Sequence, residues 1–344
     1  MKGKMMNRQK TLFLFFTFQF CYAVALAQMP ALSPLPETGS LSKPSDPDKF
    51  TFVLAGDNRP LHSTCPQPST PGKIFSAVRQ MSPAAAFVLW TGDTISGKDP
   101  QHPKIIQKQY TDFLKIAATA NVPVFNAPGN HEMDDANEVP SKPMKALYRK
   151  NMAGTYGAFT YGNSRFIALD SENEPELEKI KKQPSTAEGV TKSQPPGSIT
   201  KKQLKLLKDD LDANKDKAHV IIFMHHPVEP YSKNDGLNPL TVTALKKIFA
   251  GYKNISYVVS GHEHLYFNPQ GDKDKLTEPP SREDPSQPPY YLISGGGGAP
   301  LKTGTPGSFY HYLVFNVDGK TITPNLVKVE SSAGEPLDPC NSAK

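Results

Sequence analysis

Short, mostly apolar runs separated by polar segments dominate this chain. Runs at 50–55, 86–90, 121–125, 220–224 and 255–259 are too short for helices and show little alternation. They read as strands buried on both faces. Between the first three lie segments with helical spacing, at 72–81 and 101–120, the latter carrying Ile105, Ile106, Phe113, Leu114 and Ile116. That βαβαβ alternation predicts an α/β domain. Segments 156–161 and 165–170 flank Gly162-Asn163 and read as a hairpin. Thr200-Lys201-Lys202-Gln203 resembles a capping box, opening a helix with Leu204, Leu207 and Leu211 on one face. A helix near 240–251 follows. Strands are expected at 290–293, 310–317 and 321–327, the last two turned by Asp318-Gly319. Residues 28–48 form an irregular leader, 49–330 one domain without repeat or linker, and 331–344 a tail. The polar stretches 171–197 and 268–289 read as surface insertions.

The first 27 residues change the charge picture. Lys2, Lys4, Arg8 and Lys10 precede an apolar, Phe-rich stretch, and Ala25-Leu26-Ala27 fits a small-x-small cleavage site. This predicts a signal peptide cut before Gln28 and an exported protein, periplasmic or extracellular. The formal charge of +6 falls to +2 once those four cations leave. That is too weak an excess to imply nucleic acid as a partner. No later run is long and apolar enough to span a bilayer, so no integral membrane segment is expected after cleavage. Cys65 and Cys340 remain as an even pair, and export favours a disulfide between them.

Candidate chemistry sits where the apolar runs end. Gly56-Asp57-Asn58-Arg59, Gly92-Asp93-Thr94, Gly129-Asn130-His131-Glu132, His225-His226-Pro227 and Gly261-His262-Glu263-His264 each follow one. Ligand sites in α/β sheets lie beyond the carboxyl ends of the strands. One Asp after a strand is most often a turn or cap residue. Asp57, Asp93, Asn130, His225, His262 and His264 together make a mixed nitrogen and oxygen donor set without thiolate, which suits Mn, Fe or Zn. His131 is suited to moving protons near neutral pH. Trp90 reads as a core residue, His102 and His219 as surface residues, and His311 has no evident partner.

These five motifs, in this order, resemble the calcineurin-like metallophosphoesterase superfamily over about residues 50–330. The stretch Ser294-Gly295-Gly296-Gly297-Gly298-Ala299 resembles its purple acid phosphatase-like, secreted branch. The resemblance implies a four-layer α/β/β/α sandwich of two mixed sheets. It implies that Asp93 bridges two metals, with Asn130, His225 and His262 completing one site and Asp57 and His264 belonging to the other. His131 would stand near the leaving oxygen, and a metal-bound hydroxide would attack the phosphorus of a small phosphomonoester or phosphodiester. His226 would be structural or act behind the ligands, and Glu132 would orient a neighbour.

One position departs from the family pattern. Many members have His two residues after the first Asp; here Arg59 stands there, and Arg cannot ligate a metal. The first site then borrows Asn58, His62 or water, or stays weak and leaves a one-metal site, or Arg59 serves the substrate phosphate with its forked donors. One or two metal ions are therefore expected. Alternatives to a general phosphoesterase are a narrow cyclic-nucleotide or glycerol-type phosphodiesterase and an exported, non-catalytic metal- or phosphate-binding module.

Overall fold

The computed structural model describes residues 28–173, 197–284 and 287–330. The order of elements is β1 (Lys49–Ala55), α1 (Ser69–Arg79), β2 (Ala85–Trp90), α2 (Pro103–Ala118), β3 (Val124–Asn126), α3 (Asn130–Met133), α4 (Lys142–Asn151), β4 (Gly157–Tyr161) and β5 (Ser164–Ala168). Then come α5 (Lys201–Ala213), β6 (His219–Met224), α6 (Pro239–Phe249), β7 (Ile255–Ser260), β8 (Tyr266–Phe267), β9 (Tyr290–Ser294), β10 (His311–Asp318) and β11 (Thr321–Lys328). One sheet runs β11-β10-β1-β2-β3 and the other β4-β5-β6-β7-β9-β8. β1, β2 and β3 are parallel, as are β5, β6, β7 and β9, while β10, β11, β4 and β8 pair antiparallel. Both sheets are mixed. No helix among the described residues is long and apolar enough to cross a membrane.

Strand periodicity sorts the core into layers. Phe52, Leu54, Phe87, Leu89, Ile221, Phe223, Tyr257 and Val259 point between the sheets. Their neighbours Val53, Ala55, Val88 and Trp90 face α1, α2 and α4, and Val220, Ile222, Met224 and Val258 face α5 and α6. Successive strand residues face opposite sides, so each run is apolar throughout because both sides are covered. Aromatic rings join the sheets: Phe125 stacks on Phe159 at 3.9 Å, and Phe52 and Phe87 meet Phe166 edge-on at 5.1 and 4.9 Å. The result is the expected four-layer sandwich.

Several local expectations change. The third strand starts at Val124, because Asn121 takes a left-handed φ of 57° and Pro123 has no N–H to offer. The β10–β11 turn is Gly319-Lys320, since Asp318 pairs with Thr321. Thr200 caps α5 by accepting the Gln203 N–H at 3.2 Å, but Gln203 turns to the backbone of Asp170, so only half the capping box forms. The leader is irregular yet packed, with Met29, Leu32 and Leu35 buried. The described part of the 268–289 loop is pinned by Arg282, whose side chain is buried and whose guanidinium donates to Pro288 O and Lys253 O. Ser171, Glu172 and Gly197, at the edges of the other insertion, are buried as well; residues 174–196 lie outside the described residues. His219 is no surface residue: it is buried between Ser256 Oγ and Gly319 O at 2.9 and 3.1 Å. His311 is also buried and donates to Phe309 O. Cys65 is disulfide-bonded; its expected partner Cys340, like residues 1–27, lies outside the described residues.

Candidate metal centre

The carboxyl ends of β1, β2, β3, β6 and β7 open onto one buried cradle. Asp57, Asp93, His262 and His264 all have positive φ, at 63°, 52°, 74° and 47°. Such angles are rare outside glycine and cost on the order of 1–3 kcal/mol each, so the surroundings must enforce them. Backbone bonds do so: Asp57 N donates to Gly92 O, Asn58 N to Asp93 O and Gly261 N to His225 O, at 2.9–3.1 Å. The Gly-rich stretch locks the first loop from outside, through Gly297 N to Gly56 O and Ala299 N to Asp57 O. Gly261 and Gly129 permit the close approach. A Cβ at Gly261 would lie 2.1 Å from Asp57 Oδ2, and one at Gly129 would lie 2.3 Å from Asp93 Oδ1.

All six expected ligands meet here. His225 Nε2 lies 3.0 Å from Asn130 Oδ1, 3.1 Å from His262 Nδ1 and 3.4 Å from Asp93 Oδ1. Asp57, Asp93 and His264 each offer a donor atom within 4.8 Å of the other two. Every imidazole is fixed by an oxygen behind it. His225 Nδ1 donates to Thr91 O, His264 Nδ1 to Pro300 O and His262 Nε2 to Asp235 Oδ1, at 2.8, 2.8 and 3.2 Å. The other nitrogen of each ring therefore carries a bare lone pair aimed inward.

A metal fits this cradle. Asp57 Oδ2 is buried with no hydrogen-bond partner among the described residues. Burial, and then the Asp93 charge, push the Asp57 carboxyl well up. Burial opposes ionisation of Asp93 too, but His225, His131 and Arg59 outweigh it and hold that carboxyl low. Burial pushes His225 down to about 4 and His264 to about 3, so both are neutral. Lone pairs facing carboxylate and amide oxygens repel one another, and a cation among them removes both that repulsion and the orphaned oxygen.

The neighbours have distinct tasks. Glu132 accepts from Asp93 N, Thr94 N, Thr94 Oγ1 and Gly129 N at 2.5–3.0 Å, clasping the Asp93 loop to the Asn130 loop. His131 donates from Nδ1 to Ser96 O, and its Nε2 lies 4.0 Å from Asp93 Oδ2. Burial holds its pKa well below the usual range. Arg59 sits with Nε 3.6 Å from the same oxygen. Asn58 is no borrowed ligand: its Oδ1 accepts Trp90 Nε1–H and its amide goes to Gln67. His62 is exposed and outside the gathered donors. His226 is buried against Glu172, Nδ1 to Oε1 at 2.7 Å, and packs on the His262 ring at 4.1 Å. Sequence reading missed Asp235, Thr91 O, Pro300 O and Ser96 O. Backbone carbonyls leave no trace in side-chain identity, and Asp235 stands in a Ser-Lys-Asn-Asp-Gly stretch that reads as a turn.

A family model described as calcineurin-like phosphoesterase matches residues 50–266. A curated relative, the 3',5'-cyclic adenosine monophosphate phosphodiesterase CpdA of Haemophilus influenzae, is 23% identical over 200 residues, 57% of this chain and 61% of that protein. The chain thus spans less than two thirds of that relative. Purple acid phosphatase PPD1 from yellow lupin (Lupinus luteus) superposes with a TM-score of 0.55 at 14% identity, over 83% of this chain and 53% of that one. A dimetal phosphatase from Danio rerio gives 0.53 at 15% identity, over 82% and 99%. GAP50, the anchor in the inner membrane complex of Plasmodium, gives 0.51 at 14% identity, over 81% and 84%. At these identities the structures show a shared fold. The family match covers the strand ends that build the cradle, from Asp57 to His264, and on it this chain belongs to the calcineurin-like phosphoesterase family.

Proposed function

We propose that this protein is an exported, metal-dependent hydrolase of small phosphate esters. The observation that carries the proposal is the orientation of His225, His262 and His264, each committed to an oxygen behind it with its lone pair facing Asn130 and the two carboxylates. Asn130, His225, His262 and Asp93 would hold one metal, and Asp57 and His264, with Asp93, a second. The donor set suits Mn, Fe or Zn. When bound, the metals supply Lewis-acid neutralisation of the phosphoryl oxygens and activation of water.

The chain's own residues do the rest. Arg59 is permanently charged, and its side chain is 20% exposed, so its donors can reach a phosphate entering beside Asp93. His131 has its Nδ1–H held by Ser96 O, so any proton at Nε2 makes the ring a cation. An anionic ester favours that cation. His131 thus takes up a proton from water at Nε2 with substrate in place and delivers it to the leaving oxygen, returning to the neutral ring. Glu132 keeps Asp93 and Asn130 in register by clasping both loops.

Hydrolysis of p-nitrophenyl phosphate and bis(p-nitrophenyl) phosphate tests this reading. The expected result is turnover of at least one ester, abolished by chelation, restored by Mn or Zn, and lowered about 10²–10⁴-fold in kcat by His131→Ala. No turnover of either ester with any of these metals would refute it. The diester arm addresses the cyclic-nucleotide reading, to which the 23% identity with CpdA lends only weak support. Export is tested separately by N-terminal sequencing of the mature chain, which should begin at Gln28.

A further inference from the structure

The two halves of the cradle are unequal. Asp93 divides its oxygens between them. Oδ1 faces His225 Nε2 at 3.4 Å and accepts the His131 backbone N–H at 3.1 Å. On that side Asn130 Oδ1 and His262 Nδ1 close around His225 Nε2 at 3.0 and 3.1 Å. These separations match the edges of a coordination polyhedron with ligand bonds of about 2.0–2.2 Å. Asp93, Asn130 and His262, on three other loops, thus each stand at ligand-edge distance from His225 Nε2.

The Asp57 half has fewer donors and a cation built in beside them. Among the described residues its donors come from Asp57, Asp93 and His264, each with an atom within 4.8 Å of the other two. Asp57 Oδ1 already accepts the His262 N–H at 2.9 Å, and His264 Nε2 lies 3.7 Å from that oxygen. The remaining oxygen of Asp93, Oδ2, faces Arg59 Nε at 3.6 Å. That guanidinium keeps its charge at any working pH. A dication drawing on Asp93 Oδ2 therefore competes with a cation built into the chain, in a buried site where charges are weakly screened.

Resting on the proposed metal-dependent reading, we infer that Arg59 makes the centre asymmetric: one ion is held tightly by Asp93, Asn130, His225 and His262, and the Asp57–His264 half binds a second only weakly. The Arg59 guanidinium supplies part of the positive charge that a second ion would bring to the phosphate. At limiting free metal the protein carries one ion per chain, and the buried Asp57 Oδ2 gains its partner only when the second ion binds.

Calorimetric titration of the chelator-stripped mature chain with Mn or Zn tests this, with Mn electron paramagnetic resonance reporting whether ions are isolated or coupled. One tight equivalent is expected, then a second at least about a hundredfold weaker, with the isolated-ion spectrum at one equivalent. Arg59→His should tighten the second equivalent at least about tenfold and leave the first within about threefold. Asp57→Asn should keep the tight equivalent and lose the weak one, while Asn130→Ala should lose the tight one. Two equivalents of similar affinity in the wild type would overturn the inference, as would an unchanged second equivalent in a folded Arg59→His. Loss of the tight equivalent in Asp57→Asn would do the same. Absence of any tight ion in the wild type would instead remove the metal-dependent reading on which it rests.

Discussion

Gly261→Ala is the sharpest perturbation available, because one methyl group separates folding from metal binding. The added Cβ would sit 2.1 Å from Asp57 Oδ2 and 2.6 Å from Thr91 Oγ1. Ordinary contact needs about 3.4 Å, so something must move by about 1 Å. Asp57 cannot swing away freely, since its Oδ1 is bound to the His262 N–H at 2.9 Å. The 261–262 backbone cannot slide freely either, since Gly261 N donates to His225 O at 3.0 Å. Whichever yields, Asp57 or His262 leaves its place. A misplacement of about 1 Å is worth about a hundredfold, or about 2.7 kcal/mol. The stripped protein suffers less. Gly261 is not at positive φ, so Ala restricts the unfolded chain by about 0.4–1 kcal/mol in favour of folding, against about 1–3 kcal/mol of overpacking. Affinity for the ion whose ligand moves, the tight one for His262 or the weak one for Asp57, should fall about a hundredfold in dialysis against a competing chelator. Urea stability of the stripped protein should change by less than about 3 kcal/mol. A variant that binds both equivalents within threefold of wild type would refute the argument that this close approach shapes the cradle.

Three other outcomes are expected. Asp235→Asn weakens the acceptor behind His262 Nε2 and should lower metal affinity about 10–100-fold in the dialysis assay. Glu132→Ala leaves the N–H groups of Asp93, Thr94 and Gly129 without their acceptor and should cost about 3–5 kcal/mol of urea stability. His219 is held neutral by burial, its pKa pushed down from 6.5 to about 4. The unfolded chain takes up that proton near 6.5 and the folded chain only near 4, so this residue's share of stability is full above about pH 6.5 and falls as pH drops towards 4. The loss amounts to about 3 kcal/mol. In stripped protein, unfolding curves at pH 7 and pH 4.5 should differ by less in His219→Gln than in wild type, and an equal difference would refute the assignment.

The layered fold was legible because the strands carry it in residue type alone. Runs such as Val220-Ile221-Ile222-Phe223-Met224 are apolar on both faces, and only a sheet covered on both sides accommodates them. The ligand residues were legible for the same reason, since each motif directly follows such a run. α4 was not legible: among its ten residues only Met144 and Tyr148 are buried, too few to mark a face. That Glu132 orients a neighbour was legible, but which loops it clasps was not, nor the task of Glu263, because most of their partners are backbone N–H groups. Glu263 accepts from Tyr231 N and Ser232 N, which holds the loop bearing Asp235 near His262. His219 was misread because a His opening a strand after a charged stretch looks exposed. Its burial depends on Ser256 and Gly319, distant in sequence.

Elemental analysis of the purified chain tests the central claim most directly, taken before chelation, after chelation and after re-exposure to Mn or Zn, with Asn130→Ala alongside. Bound metal in the wild type, lost to chelator and regained by the wild type while Asn130→Ala regains none at the same free-metal concentration, is the predicted result. A wild-type chain that takes up no metal, or an Asn130→Ala variant that takes up as much as the wild type, would contradict the assignment of this cradle as the metal centre.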